Sequence, residues 1–119
     1  MGNRAVIQPE GAKFGIYLHW DGSAESVGAF LKCAKDLGVR DPKADPSYFA
    51  SRLTQIIANY IGGTTSIGIG DIDSLDTDNG DNGLYVVGAD FKVIGRRATP
   101  SGEVYAECMA RNKAAFAER

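Results

Sequence analysis

FGIYLHWDGSAESVGAFLKCAKDLG, residues 14–38, changes its hydrophobic period once, and the change decides the fold. From Phe14 to Trp20 the residues alternate. Phe14, Ile16, Leu18 and Trp20 point one way and Gly15, Tyr17 and His19 the other, which is the period of a β-strand. Asp21-Gly22-Ser23 breaks the run. Beyond it Val27, Phe30, Leu31, Ala34 and Leu37 recur at helical spacing, with Ser23 as N-cap and Gly38 as the C-terminal stop.

Working outward from this junction, Arg4 to Gln8 is a short β-leaning run, and Pro9-Glu10-Gly11 is a turn signal. The two runs read as a β-hairpin. On the other side, Arg40 to Ala44 is a polar connector. Asp45-Pro46 then starts a second helix, because Asp caps and Pro suits the first turn. That helix runs to Ile61 with Phe49, Leu53, Ile56, Ile57 and Tyr60 toward the core, and Gly62-Gly63 ends it. Thr64 to Ile69, Leu84 to Val87 and Phe91 to Arg97 read as strands, the last two joined tightly through Gly88-Ala89-Asp90. Pro100-Ser101-Gly102 is a break. Glu103 to Ala117 forms a final helix with Val104, Cys108 and Met109 toward the body. The order ββααβββα, without strict βαβ alternation, predicts a single α+β domain over residues 1–119. Its antiparallel sheet has about five strands, and the first two helices pack on one face.

Charge is distributed unevenly. The 119 residues carry a net charge of −2, yet no Lys or Arg falls between Leu53 and Phe91, where Asp71, Asp73, Asp76, Asp78, Asp81 and Asp90 lie. A nucleic-acid binder shows a dominant basic field, so direct nucleic-acid binding is disfavoured, and an acidic patch steers instead toward basic partners. Cys33 and Cys108 lack metal-ligand spacing and read as free core thiols of a reducing cytoplasm, a disulfide between them remaining open. The N-terminus lacks the apolar segment of a secretory signal, no stretch approaches membrane-spanning length, and Val6 departs from the myristoylation pattern.

Five carboxylates crowd into DIDSLDTDNGD, residues 71–81, and repel one another unless a cation, a basic partner or water screens them. The segment fails the EF-hand test. A frame starting at Asp76 puts Gly80 where a ligand is needed, and a frame starting at Asn79 offers no carboxylate until Asp90. A looser Ca²⁺ or Mg²⁺ site on Asp76, Asp78 and Asp81 stays open as an alternative. Asn79-Gly80 and Asn82-Gly83 favour turns. His19, the only histidine, precedes Asp21 and shares a strand face with Tyr17, the pattern of a minimal general base. No recognisable nucleophile accompanies it, and a hydrogen-bonded sheet histidine is the plainer account. The Gly62-Gly63 and Gly68-Ile69-Gly70 stretches fit no phosphate-binding pattern and read as a helix stop and a strand bend. Arg96, Arg97, Arg111 and Lys113 form a small basic patch that suits pairing with the acidic loop, within the molecule or across a homodimer, or contact with a phosphate backbone.

MGNRAVI (1–7), IYLHW (16–20) with Gly22, ESV (25–27), AFL (29–31) and DNGDNG (78–83) with Tyr85 together resemble a group of short proteins carried by bacterial prophages and other mobile elements. The likeness spans roughly residues 1–95 and excludes the last helix. It implies a small cytoplasmic accessory protein and brings no catalytic residues or cofactor. Proteins of that size and setting include inhibitors of host defence, anti-CRISPR proteins among them, which often occupy a basic nucleic-acid channel with an acidic surface. The expectation is therefore a non-enzymatic, cofactor-free binding protein. Asp71, Asp73, Asp76, Asp78, Asp81 and Tyr85 would meet a basic host protein or ribonucleoprotein complex, with no membrane involved.

Overall fold

The first two helices start and stop at the capping residues the sequence marks. The computed structural model describes residues 3–62, 67–97 and 109–113. Strands β1 (Ala5–Pro9) and β2 (Phe14–Leu18) form the hairpin, with Ile7 opposite Ile16 and Ala5 opposite Leu18. Helix α1 (Ala24–Asp36) starts where the Ser23 side chain accepts a hydrogen bond from the Ser26 N–H, and ends before Gly38 in the left-handed region at φ +81°. Helix α2 (Pro46–Ile61) is capped by Asp45, which accepts from the Tyr48 N–H, and stops at Gly62 with φ +67°. Then come β3 (Ile67–Asp71), β4 (Leu84–Val87), a 3₁₀ turn (Ala89–Phe91) and β5 (Val93–Arg97). Residues 109–113 are helical, inside the stretch expected to form the last helix. Residues 64–66, the Pro100 break, Cys108 and the rest of the last helix lie outside the described residues.

The fold is α+β, and the five strands form one mixed sheet in the order β3-β2-β1-β4-β5. Three pairings are antiparallel, as the meander spacing predicts; β1 and β4 run parallel. The parallel pair arises because β3 sits at one edge and the chain must cross the sheet to reach β4 beside β1. Both helices cover one face. Ala5, Ile7, Ile16, Leu18, Tyr85 and Val87 from the sheet meet Val27, Phe30, Leu31 and Ala34 of α1 and Phe49, Ala50, Leu53 and Ile57 of α2. Each large aliphatic or Phe side chain buried there is worth about 1.5–3 kcal/mol.

Several expectations fail at element ends. The second strand stops at Leu18, and Trp20 is exposed. The Asn3 N–H donates to the His19 carbonyl, Asp21 takes φ +59°, and the pleat is lost before Trp20. Gly22 is required at this bend: a Cβ there would lie 2.6 Å from both the Ala5 Cβ and the Asn3 carbonyl. Leu37 and Tyr60 are exposed rather than core. Leu37 sits at the cap beyond the last helical turn, and Tyr60 lies on the rim with its ring edge-on to Phe30. Cys33 is an exposed free thiol rather than a core one, because the buried stripe of α1 runs through Phe30, Leu31 and Ala34. The last sheet strand starts at Val93, not Phe91. Asp90 and Phe91 both adopt φ +60°, and Phe91 packs edge-on against Phe49 at 5.7 Å.

Candidate functional site

The acidic segment occupies the sheet face that the helices leave open. Residues 72–83 connect β3 to β4, at the upper end of ordinary connection lengths. They pass over the face that carries Val6, Gly15 and Gly70. Gly15 pairs with Gly70 across β2 and β3, and the two make a floor without side chains. A Cβ on Gly15 would meet the Ile72 Cδ1 at 3.1 Å, and one on Gly70 the Leu75 Cδ2 at 3.4 Å. The strand glycines therefore let Ile72 and Leu75 settle onto the sheet. The strand bend expected of Gly68-Ile69-Gly70 is absent: these residues lie in regular register with β2.

Two residues fasten the loop. Asn79 is buried, 3% exposed, and both polar atoms of its side chain are used. Its Nδ2 donates to the Asp76 carbonyl at 2.9 Å and to the Gly83 carbonyl at 3.3 Å. Its Oδ1 accepts from the Asp81 N–H at 3.1 Å and the Gly83 N–H at 3.0 Å. Gly80 and Gly83 take positive φ, as the two Asn-Gly pairs predict. Arg4 is the second anchor. Its backbone N–H and its Nε both donate to the Asp81 carboxylate, at 3.0 and 2.8 Å. The Arg4 carbonyl accepts from the Asn82 N–H, and the Asn3 and Asn82 side chains bond to each other. From the far edge, Arg96 donates to the Asn82 carbonyl at 2.9 Å and Arg97 to the Thr77 hydroxyl at 3.3 Å. These two arginines of the sequence's basic patch thus lie against the acidic loop within the molecule.

This geometry divides the expected site residues. Asp81 is an internal partner: the Arg4 side-chain hydrogen bond, then the one from its backbone N–H, hold the Asp81 carboxyl below the usual carboxylate range. Asp76 lies 3.9 Å from Arg4 and is more than half exposed. Asp71, Asp73 and Asp78 are exposed, and Asp71 and Asp73 form no ion pair among the described residues. Tyr85 does not meet its expectation as a contact residue. It is 1% exposed, its hydroxyl donates to the Gly22 carbonyl at 2.7 Å, and the Arg96 guanidinium covers its ring. Burial pushes its phenol up. Asp90 belongs to the helix side, paired with Lys35 at 2.9 Å. Tyr17 and His19 do share a face, and the Tyr17 hydroxyl lies 3.0 Å from His19 Nδ1; the partner of that nitrogen is Tyr17 and not Asp21.

Among the described residues, no three His, Cys, Asp or Glu side chains converge closely enough to hold a metal ion. The loose cation site on Asp76, Asp78 and Asp81 therefore has no geometric support. What the loop offers is a set of exposed carboxylates on a backbone fixed by Asn79 and Arg4. Asn79 and Arg4 were missed as site residues from sequence. The Asn-Gly pair marks a turn but not a buried hub, and Arg4 lies 77 positions from Asp81. No helix among the described residues is long and apolar enough to cross a membrane. Comparison with family models, with curated proteins and with solved structures finds no match for this chain.

Proposed function

We propose that this protein is a non-catalytic binding protein in which the end of β3 and the crossing loop after it present Asp71, Asp73, Asp76 and Asp78 to a basic surface of a host protein or ribonucleoprotein complex. The observation that carries this reading is the anchoring. The loop over residues 72–83, which with Asp71 at its start carries five aspartates and no Lys or Arg, is seated on a glycine floor, with Asn79 and Arg4 holding its backbone. A loop ordered before it binds loses less entropy on association, and its field speeds encounter with a cationic partner. Asp81 belongs to the scaffold in this reading, not to the contact surface. The resemblance to proteins of prophages and mobile elements supplies the setting: a cytoplasmic accessory protein that obstructs a nucleic-acid-handling defence complex in the manner of an anti-CRISPR inhibitor.

The test compares wild type with the triple variant Asp73→Asn, Asp76→Asn, Asp78→Asn. Wild type should bind its complex with an association rate that falls steeply between 50 and 300 mM salt, about tenfold or more, as steered encounters do. The triple variant should fold normally and lose both the binding and the salt dependence. Normal binding by a folded triple variant would remove the loop from the function.

A further inference from the structure

A cleft of about 380 Å³ opens on the helix layer, between the end of α1 and the outer side of α2, away from the acidic loop. Its apolar wall is Leu37, Val39 and Ile56; Leu37 is 69% exposed, held out by the left-handed turn at Gly38. Its polar wall is α2. Arg52 donates through Nε to the Tyr48 hydroxyl at 3.0 Å and through one terminal nitrogen to Gln55 Oε1 at 3.0 Å. Among the described residues no carboxylate pairs with Arg52. Arg52 lies over the Tyr48 ring at 5.0 Å, and its neighbour Arg40 does so at 4.7 Å, but the charge of Arg40 is met by Asp45 at 3.0 Å.

The consequence is a wall rich in donors. The guanidinium is oriented by two acceptors and keeps further N–H groups for a ligand. The Tyr48 oxygen, used as an acceptor, still carries a proton to give. Gln55, with its oxygen engaged, still has its NH₂, and Asn59 also lines the cleft. Such a set is complementary to an anion, and a planar fork favours a carboxylate met by two N–H groups. The volume falls in the range of small-molecule sites, and the facing wall is aliphatic.

We propose that this cleft binds a small organic acid, a carboxylate on a short aliphatic chain, with Arg52 meeting the carboxylate and Leu37, Val39 and Ile56 covering the chain. The site is independent of the acidic loop and stands or falls without it.

Hexanoate is the probe, with hexanamide as its uncharged counterpart and acetate as the charge without the chain, each titrated into the ¹⁵N-labelled full chain and followed by NMR. Hexanoate should shift the Arg52 Nε–H and the Gln55 and Asn59 side-chain amides along one saturable curve. Hexanamide and acetate should bind at least tenfold more weakly. Arg52→Gln should cost hexanoate at least tenfold in affinity, and Leu37→Ser should weaken hexanoate while leaving acetate unchanged. Equal binding of hexanoate and hexanamide, unchanged affinity in Arg52→Gln, or shifts spread evenly over all lysines and arginines would overturn the assignment.

Discussion

The two faces of the sheet are closed by different physics. The helix face is filled by aliphatic and aromatic side chains from two amphipathic helices, and its stability comes from area removed from water. The opposite face is closed by a single loop that contributes Ile72 and Leu75 and otherwise relies on specific bonds, four to Asn79 and two from Arg4 to Asp81. A hydrophobic layer tolerates apolar swaps that conserve volume, whereas a hydrogen-bonded hub holds only if every partner is in place. The carboxylates proposed as the contact surface lie on the second kind of face, where the backbone is held in one shape by bonds rather than by bulk.

The largest effect should come from the helix face. Leu53 is fully buried, and Leu53→Ala should destabilise the whole domain by about 2–5 kcal/mol, read as a drop in the urea midpoint by far-UV circular dichroism. Asn79→Ala should cost less, about 1–3 kcal/mol, because it strands the Asp81 and Gly83 N–H groups in a loop from which water is only partly excluded. Its signature should also be local. Limited proteolysis should cut within residues 72–83 at conditions where the helices stay protected. If Asn79→Ala lowers the global midpoint as far as Leu53→Ala, the two faces are one cooperative unit and the distinction fails.

The smallest effect is in acid. Asp81 has its folded pKa lowered by Arg4, so the unfolded state binds the proton more tightly. The stabilisation is therefore complete above the ordinary carboxylate pKa and is lost as the pH falls from there through the lowered folded value. Asp45 and Asp90 are lowered too, the first chiefly by the Tyr48 N–H and the second by Lys35, so acid weakens the helix side as well. Asp81→Asn should accordingly make the urea midpoint fall less between pH 5 and pH 3 than in wild type, without abolishing the fall. An unchanged fall would mean that the Arg4–Asp81 contact contributes nothing to folding.

Much of the helix face was legible in the sequence because its signals are local. Ser23, Gly38, Asp45, Pro46 and Gly62 act within a turn of where they stand, and Val27, Phe30, Leu31 and Ala34 repeat at the helical period. Periodicity failed where an element ends, as at Trp20 and Leu37, since a pattern does not announce where its partner layer stops. The loop face was legible only as charge. Its aspartates are visible in sequence, but the division among them is not: Asp81 is spoken for by Arg4, Asp90 lies on the other side with Lys35, and Asp71 and Asp73 face water. Tyr85 shows the same limit from the other side, because a tyrosine beside an acidic loop reads as surface until strand order puts it beneath Arg96.

By itself the sequence determined the α+β class, the ends of the first two helices, the turns at Gly80 and Gly83, and the gathering of negative charge, since each depends on neighbours a few residues apart. Only the tertiary structure decided that β4 lies parallel to β1, that the acidic segment crosses the open face, and which carboxylates Arg4 and Lys35 neutralise. Those outcomes depend on contacts between residues far apart in the chain, and no local period or propensity encodes which distant partner a strand or a charge will meet.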